Sequence, residues 1–283
     1  MRNTLLLFAA FLTLFTLVSC GKKTPTSKNP AANQALCSYE EALIQLKSGD
    51  FTLVVGLDAS FPPYGFRDEA TGELVGFDLD LAKEVAVRRG WKVKFQAIDW
   101  DAKDAELNSG SINCIWNGFT INGREEYYTW SEPYVDSSQV ILVRKDSPIQ
   151  SKADLAGATV EAQADSSGLK ALQSEECTEL RNSLKTIVEV PTFNQAYMEL
   201  QAGACDAVVI DYSVAVRLMK GNDVARMLDE NLTTEQYGVG FKLGNTAIRD
   251  MVQQTLDEMH ADGSFTKISK KWFDGEDVTI QKK

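Results

Sequence analysis

The strongest constraint on the fold is an internal repeat. The stretch WDAKDAELNSGSINCIWNG, residues 100–118, aligns without a gap with FNQAYMELQAGACDAVVID, residues 193–211. At this constant offset of 93 residues, the aligned pairs are Trp100 with Phe193, Glu106 with Glu199, Leu107 with Leu200, Gly110 with Gly203 and Asn113 with Asp206. Helix–glycine–strand patterns are common in themselves, but the ungapped frame favours a duplicated unit. The repeat therefore predicts two similar α/β lobes.

Strand and helix patterns also alternate along the rest of the chain. The first part predicts strands at 51–57, 91–98 and 112–116, and helices at 77–90 and 101–109. The second part predicts a strand at 157–163, a helix from about Asp165 to Cys177 and a helix at 246–263. Alternation of this kind is typical of an α/β fold.

The N-terminus has the composition of an export signal. Arg2 precedes an apolar segment, Leu5 to Val18, which is too short for a membrane span. The sequence Leu17-Val18-Ser19-Cys20 then resembles a bacterial lipoprotein signal, although an ordinary signal peptide with a chance cysteine would also fit. We predict a signal peptide over 1–19, a lipidated (palmitate-bearing) Cys20 and a flexible, proline-containing tether over 20–36.

The charge of the chain excludes some partners. Residues 1–36 hold four of the 29 basic residues and no acid, which leaves 25 basic against 40 acidic residues after them. Such a surface repels nucleic acid and anionic lipid, or serves only to keep an exported protein soluble.

The cysteines and the single histidine limit the chemistry. Cys37, Cys114, Cys177 and Cys205 could form disulfides after export, and the sequence leaves open whether and how they pair. His260 lies in a helical pattern near the end of the chain, where we expect a surface residue. Without a Cys/His cluster, we expect no metal, no cofactor and no Ser-His-Asp chemistry.

Several motifs occur together in one order along the chain. They are GLDASFPPYGF, GELVGFDLDLAKEVA, NGFTINGREEYYTWSEPY, DLAGATVEAQADSS, GACDAVVIDY and DGSFTKISKKWFDGEDVT. In this respect the chain, from about Phe51 to Thr279, resembles family 3 of the bacterial solute-binding proteins, the polar amino-acid receptors of ATP-driven importers.

The resemblance implies an α/β, two-lobed periplasmic-binding-protein-like fold of type II with two crossing hinge segments. It places lobe 1 at 37–141 plus 240–283 and lobe 2 at 142–239. It implies a monomeric, extracytoplasmic receptor, held at a membrane by its lipid, that traps a polar or basic α-amino acid. The partners would be an ABC permease and its ATPase subunit, with no nucleic acid.

The motif after the strand at 112–116 offers groups for an amino acid's carboxylate. Arg124 can bind a carboxylate in a bidentate manner, and Gly118 lets the backbone approach a ligand. Thr120 offers a hydroxyl, and Asn117 can accept or donate. The Thr-to-Arg spacing is one residue shorter here than is usual in the family, and Arg124 could instead pair with a nearby surface glutamate.

The resemblance assigns four ligand-binding residues to lobe 2. Ser166 and Ser167 would complete the carboxylate site, although serines there are also ordinary helix caps. Asp211, at the end of the second apolar strand of the repeat, resembles the family's partner for the ammonium, although it could simply cap the next helix. Gln163 could reach the ligand from the same side.

Aromatic residues would enclose the ligand's side chain. Phe61 and Trp100 lie where the family places two such aromatics, and Asp58 and Tyr64 accompany them. Each aromatic alone would more often belong to the core than to a ligand site. Asp58 and the two rings suit polar or basic side chains, and the sequence leaves the choice of amino acid open.

An enzyme on the same scaffold is the main alternative. Cyclohexadienyl dehydratases resemble this family, and fold alone does not decide function. An enzyme needs a placed acid or base, and Glu161 is the one acid near the motifs without an assigned role. A complete set of partners for a zwitterion favours binding without catalysis. A sensor lobe of a membrane receptor is disfavoured because no second membrane segment follows.

Overall fold

The computed structural model describes Ile44, Leu46 and residues 50–280. The predicted signal peptide, Cys20, the tether and Cys37 lie outside these residues. The strands are β1 (Thr52–Leu57), β2 (Ser60–Phe61), β3 (Gly65–Arg67), β4 (Leu74–Val75), β5 (Lys92–Ala97), β6 (Cys114–Thr120), β7 (Tyr128–Trp130), β8 (Val135–Arg144), β9 (Thr159–Gln163), β10 (Thr186–Val190), β11 (Ala207–Asp211), β12 (Ala225–Met227) and β13 (Thr233–Lys242). The helices are α1 (Phe77–Arg89), α2 (Lys103–Ser109), α3 (Ser167–Gln173), α4 (Thr178–Ser183), α5 (Phe193–Ala202), α6 (Tyr212–Met219), α7 (Thr246–Ala261) and α8 (Ser264–Trp272), with 3₁₀ turns at Trp100–Ala102 and Lys152–Leu155.

One large sheet runs through the molecule in the order β10-β9-β11-β8-β13-β6-β1-β5. The long strands β8 and β13 pair antiparallel at its centre. On one side of them lie the parallel strands β6, β1 and β5, and on the other side β11, β9 and β10 are also parallel to one another. Two parallel α/β units joined by two crossing strands confirm the expected two-lobed fold.

The apolar core follows this plan. The largest cluster of buried side chains begins with Phe51 and Leu53, continues through Trp116 and Tyr237, and reaches Ile210 on the other side of the central strands. Smaller clusters fill each unit separately, one around Leu107 and Ile112 and one around Leu155 and Val160. The central strands are thus buried against both units.

The sequence repeat corresponds to a repeated structural device. The backbone N–H of Val54 donates to the Asn113 side chain at 2.7 Å, and the Asn113 N–H donates back to the Val54 carbonyl at 2.8 Å. In the second unit, Thr159 donates to the Asp206 side chain at 2.8 Å, and the Asp206 N–H returns the bond at 2.9 Å. Each side chain thereby fixes the start of a parallel strand pair.

One predicted helix is shorter than expected. The helix that begins after Ser166 ends at Gln173 rather than near Cys177, and α4 follows as a separate helix. Ser174 leaves the helical region with an extended backbone, and the Arg181 guanidinium donates to the carbonyls of Leu172 and Ser174. Arg181 thus satisfies carbonyl groups that the broken helix leaves without partners.

The strand expected at 112–116 begins later and extends further. β6 runs through Asn117, Gly118 and Thr120, so these polar residues belong to the strand itself. Gly118 has a φ of 55°, and a Cβ there would lie 2.7 Å from the Phe61 ring. Its N–H donates to the buried carboxyl of Asp78 at 2.6 Å. Only glycine fits this position, because a side chain would meet the Phe61 ring and the positive φ would strain the backbone.

Two further observations concern the cysteines and the length and apolarity of the helices. Cys114, Cys177 and Cys205 are free thiols. Within Ile44, Leu46 and residues 50–280, the structure has no helix with the length and apolarity needed to cross a membrane.

The paired side chain–backbone bonds predict a stability effect. Replacing Asn113 or Asp206 with alanine leaves a strand N–H without its partner, so each variant should lose about 1–3 kcal/mol of unfolding free energy. Urea denaturation followed by circular dichroism measures this loss. Asn113→Asp and Asp206→Asn keep an acceptor and are the matched controls, which should lose clearly less. Equal losses in both classes of variant would contradict the assigned role.

Candidate functional site

Most of the predicted ligand-binding residues surround one small cavity between the two units. Its lining comprises Asp58, Phe61, Trp100, Asn117, Gly118, Thr120, Arg124, Gln163, Ser166, Ser167, Phe193 and Asp211. The space between these side chains measures about 20 Å³, enough for about one water molecule. An amino acid can therefore enter only when the two units separate.

Tyr64 is the predicted site residue that the structure places elsewhere. It is fully buried, and its ring packs against Phe77 and, at 5.2 Å between centroids, against Tyr237. Its hydroxyl donates to the Ser213 hydroxyl at 3.2 Å. Tyr64 is thus a core residue that joins the two units, because its ring fills the space between the central strands and α1.

Phe193 lines the cavity although the sequence motifs did not single it out. Its ring centroid lies 5.8 Å from that of Phe61. The repeat contained the relevant signal, because Phe193 aligns with Trp100, and both aromatics begin the helix of their unit. Three aromatic side chains therefore border the cavity: Phe61, Trp100 and Phe193.

Arg124 is a buried cation without an acidic partner in contact. It follows β6, is 2% exposed and donates to the carbonyls of Thr120 at 3.2 Å and Asp165 at 3.0 Å. Its Nε has no partner, and its guanidinium lies 5.1 Å from the centroid of the Phe119 ring. Within the described part of the chain it forms no ion pair, so the predicted alternative of a surface pair with a glutamate does not occur.

Asp211 lies on the opposite side of the cavity with a second acid beside it. Asp211 begins the turn into α6, but its side chain does not cap that helix. Instead it accepts a hydrogen bond from the Tyr237 hydroxyl and contacts Glu235. Burial, and then the charge of Glu235, hold the pKa of Asp211 well above its usual range. Glu235 is a residue that the sequence analysis missed.

The hydroxyl groups of the site have partners of their own. Thr120 donates its hydroxyl hydrogen to Glu235 at 2.9 Å, so in this arrangement it presents lone pairs rather than a donor to a ligand. The Ser166 hydroxyl accepts from the N–H of Leu169 and remains able to donate, which makes it both a helix cap and a candidate ligand partner. Ser167 accepts from Gln139 at 3.0 Å and has the same freedom.

Asp58 and Gln163 connect the two units at the other end of the cavity. Gln163 donates to the Asp58 carboxylate at 2.7 Å, and the N–H of Asp58 donates to the Asn117 side chain at 2.8 Å. Burial raises the pKa of Asp58, although its hydrogen bonds oppose this shift. A larger cavity of about 620 Å³ adjoins this end, and its walls include Asp58, Trp100 and the further acids Asp99, Asp101 and Glu106.

An ion pair also joins the two units beside the cavity. The ammonium of Lys103, which is 1% exposed, contacts the Asp165 carboxylate and donates to the Trp100 carbonyl at 3.2 Å. Burial lowers the pKa of Lys103, whereas the hydrogen bond and charge of Lys103 outweigh burial at Asp165 and lower its pKa. Both pKa values fall, which disfavours the charged form of Lys103 but favours that of Asp165, because Lys103 is the more deeply buried of the two. The close contact itself indicates a charged pair. Lys170 binds the same carboxylate at 3.2 Å from within lobe 2.

Comparisons with known proteins agree with this arrangement. Residues 53–275 match the model of the bacterial extracellular solute-binding proteins, family 3. The L-cystine-binding protein TcyA of Bacillus subtilis is 31% identical, over 99% of this chain and 100% of its own. The arginine-binding extracellular protein ArtP of the same organism is 27% identical, over 98% and 100%.

A solved structure extends the comparison to three dimensions. It is a substrate-binding protein of an ABC uptake transporter from Streptococcus pneumoniae with bound histidine. It superposes with a TM-score of 0.78 at 32% sequence identity, over 88% of this chain and 99% of its own.

The Lys103–Asp165 pair predicts a kinetic effect. Asp165 has a φ of 53°, a conformation that asparagine tolerates, so Asp165→Asn removes the charge without forcing the backbone to change. Because the pair forms only when the two units meet, this variant should release ligand about tenfold faster, with little change in association rate. Stopped-flow tryptophan fluorescence measures both rates.

Two further variants make this experiment specific. Lys103→Met combined with Asp165→Asn should show less than the sum of the single effects, because both changes remove the same contact. Lys170→Met is the matched control, since Lys170 binds the same carboxylate from the same lobe and should leave the release rate near that of the wild type. An equal acceleration in Lys170→Met would show that the pair between the units is not responsible.

Proposed function

Because the chain belongs to the bacterial extracellular solute-binding proteins of family 3, we propose that it captures a polar or basic α-amino acid between its two lobes. It then delivers this ligand to an ABC transporter permease, whose ATPase subunit drives import. The observation that supports this most strongly is the opposition of a buried, unpaired guanidinium and a buried acid across a cavity between the lobes.

The charges of the site are complementary to a zwitterion. Arg124 receives the ligand's carboxylate and exchanges part of its carbonyl contacts for a charged partner. Ser166 and Ser167 donate their hydroxyl hydrogens to the same carboxylate. Asp211 receives the α-ammonium from the other side. The two ends of one small molecule thus contact both lobes, which favours the closed arrangement.

The side chain of the ligand would extend toward the larger cavity. Phe61, Trp100 and Phe193 would contact its apolar part, and Asp58 and Gln163 its polar end. The acids that line the larger cavity favour a polar or cationic group over a carboxylate. The relatives that bind arginine and histidine have ligands of this kind, whereas the far end of cystine, the ligand of another relative, carries both an ammonium and a carboxylate.

We also propose that the protein is not an enzyme. The one acid that the sequence left unassigned, Glu161, is buried beside Glu199 and does not line the cavity. Incubation with prephenate or arogenate should give no aromatic product, and its appearance would favour the dehydratase alternative.

The division of the chain and its attachment complete the proposal. Residues 1–19 would be a signal peptide, Cys20 the lipidated N-terminus and 20–36 a tether that keeps the receptor near the permease. Lobe 1 would comprise 37–141 and 240–283, and lobe 2 would comprise 142–239. The mature protein would act as a monomer on the extracytoplasmic side of the membrane.

The proposed function predicts a specific loss in a binding cycle. Arg124→Ala and Asp211→Ala should each weaken binding by about 2–5 kcal/mol, because the ligand charge then stays desolvated without a partner. This corresponds to about 30-fold to several thousand-fold in affinity. Calorimetry with the tightest binder among L-arginine, L-histidine, L-glutamine and L-cystine measures these losses.

The carboxamide of the same amino acid identifies the group that Arg124 binds. Blocking the carboxylate should harm the wild type much more than Arg124→Ala, which has already lost the partner. Arg226→Ala is the control, because Arg226 also donates to two backbone carbonyls but lies outside the cavity lining. An equal amide penalty in the wild type and Arg124→Ala would contradict the assignment.

The anchor predicts a separate result. Cys20→Ser should abolish incorporation of labelled palmitate and release the protein from the membrane fraction, because the thiol that would carry the lipid is gone. Cys37→Ser removes a nearby cysteine and should retain both label and membrane association. Unchanged labelling and fractionation of Cys20→Ser would contradict lipidation at this residue.

A further inference from the structure

The acid side of the cavity contains two buried carboxyl groups rather than one. Asp211 ends β11 and Glu235 lies in β13, with β8 between them in the sheet. Gln139 of β8 is the register partner of Asp211 and donates to Glu235 at 2.8 Å. Both acids are 3% exposed and hydrogen-bond each other over this strand.

Each of the two acids accepts hydrogen bonds from neighbouring donors and also contacts the other acid. Glu235 accepts from Gln139 and from Thr120, two donors that stabilise a carboxylate. Asp211 accepts the Tyr237 hydroxyl hydrogen and also a hydrogen bond from the Gln139 side chain, whereas its contact with Glu235 joins two acidic oxygens. Two carboxyl groups in hydrogen-bond contact need a proton between them, because two carboxylates would only repel.

Among the residues that the structure describes, no cation contacts Asp211 or Glu235 and so takes the place of the proton between them. The titratable or charged groups that face Asp211 from neighbouring elements are Glu235 and Tyr237 on β13, Tyr64 after β2 and Arg124 after β6. Within the part of the chain that the structure describes, neither acid forms an ion pair with a lysine or an arginine. Burial and Glu235 together raise the pKa of Asp211, against the attraction of Arg124.

We infer that capture of an amino acid is coupled to release of a proton from the Asp211–Glu235 pair, an inference that rests on the proposed function. The α-ammonium donates its N–H groups to Asp211. The ionised carboxylate is the stronger partner, because it accepts with both oxygens and balances the charge, whereas a protonated carboxyl keeps an O–H donor facing the ammonium. The carboxyl proton of Asp211 therefore leaves to solvent as the ammonium takes its place. Glu235 does not touch the ligand but positions this proton, so it makes the receptor sensitive to pH.

The coupling has a definite sign. Below the pKa of Asp211 in the unliganded protein, binding must first remove a proton, so apparent affinity falls as pH falls, by up to tenfold per unit for one proton. Above that pKa, the carboxylate is already ionised and the dependence ends. A receptor of this type binds more tightly in a neutral or alkaline medium than in an acidic one.

Calorimetry in pairs of buffers with different ionisation enthalpies counts the protons released per ligand bound. The probes are L-arginine, L-histidine, L-glutamine and L-cystine, of which the tightest binder is used, at about pH 6 and about pH 8. At the lower pH the wild type should release between about half and one proton more than Glu235→Gln. Burial alone still raises the pKa of Asp211 in that variant, so its release should be smaller but need not vanish. Comparing variants at one pH cancels any proton that the ligand itself gains or loses.

Two variants identify the source of the proton. Asp211→Asn should release no proton. Because this variant binds more weakly, it is measured at higher probe concentrations. Glu161→Gln removes another buried acid whose pKa is raised but which does not line the cavity, and it should keep the wild-type proton count. If the wild type binds but releases no proton, or the same number as Glu235→Gln, the coupling is wrong and the proposed function stands. If none of the four probes binds to the wild type, the proposed function itself is overturned.

Discussion

The buried guanidinium of Arg124 is the constraint on which the site depends. A cation that is 2% exposed and in contact only with carbonyl oxygens and an aromatic ring is costly to keep in a folded protein. One of those carbonyls, that of Asp165, belongs to the opposite lobe. The surroundings of the charge therefore change whenever the lobes separate. Opening removes the hydrogen bond to the Asp165 carbonyl, and an incoming carboxylate can replace it. Under the proposed function, binding and closure are coupled through this one group.

The remaining charges are arranged around Arg124 in a way that suits a neutral zwitterion. The positive charge of Lys103 is balanced by the carboxylate of Asp165. The acid pair of Asp211 and Glu235 lies across the cavity. A ligand with both a carboxylate and an ammonium supplies a partner to each side and itself carries no net charge, so the charge of the closed site changes only by the proton released under the proposed coupling. A molecule with only one of these groups would leave the other side uncompensated, which is a physical basis for selecting amino acids as a class.

The sequence predicted the parts of this arrangement that depend on strand order and local pattern. The repeat located equivalent strand ends and paired Trp100 with Phe193, and the buried Arg124 lies where the motif suggested. Lys103 escaped notice because a lysine in a polar helical stretch looks like a surface residue, and only its contact with Asp165 buries it. Glu235 was missed because its importance comes from Asp211, which is distant in sequence and reaches it only across β8. Tyr64 lies in the core and not in the cavity lining, and nothing local in the sequence distinguishes an aromatic of the core from one of the cavity.

The size of the cavity connects these charges to the order of events during capture. The space of about 20 Å³ between the lobes is far smaller than an amino acid, so capture of one requires the lobes to open. Opening also admits water to Asp211, which weakens the burial that most strongly raises its pKa. The open receptor therefore presents a more readily ionised acid to the ammonium than the closed one does. Closure around a ligand keeps Asp211 ionised, whereas closure without a ligand returns the proton to it, so under the proposed coupling acidity favours unliganded closure at the expense of binding.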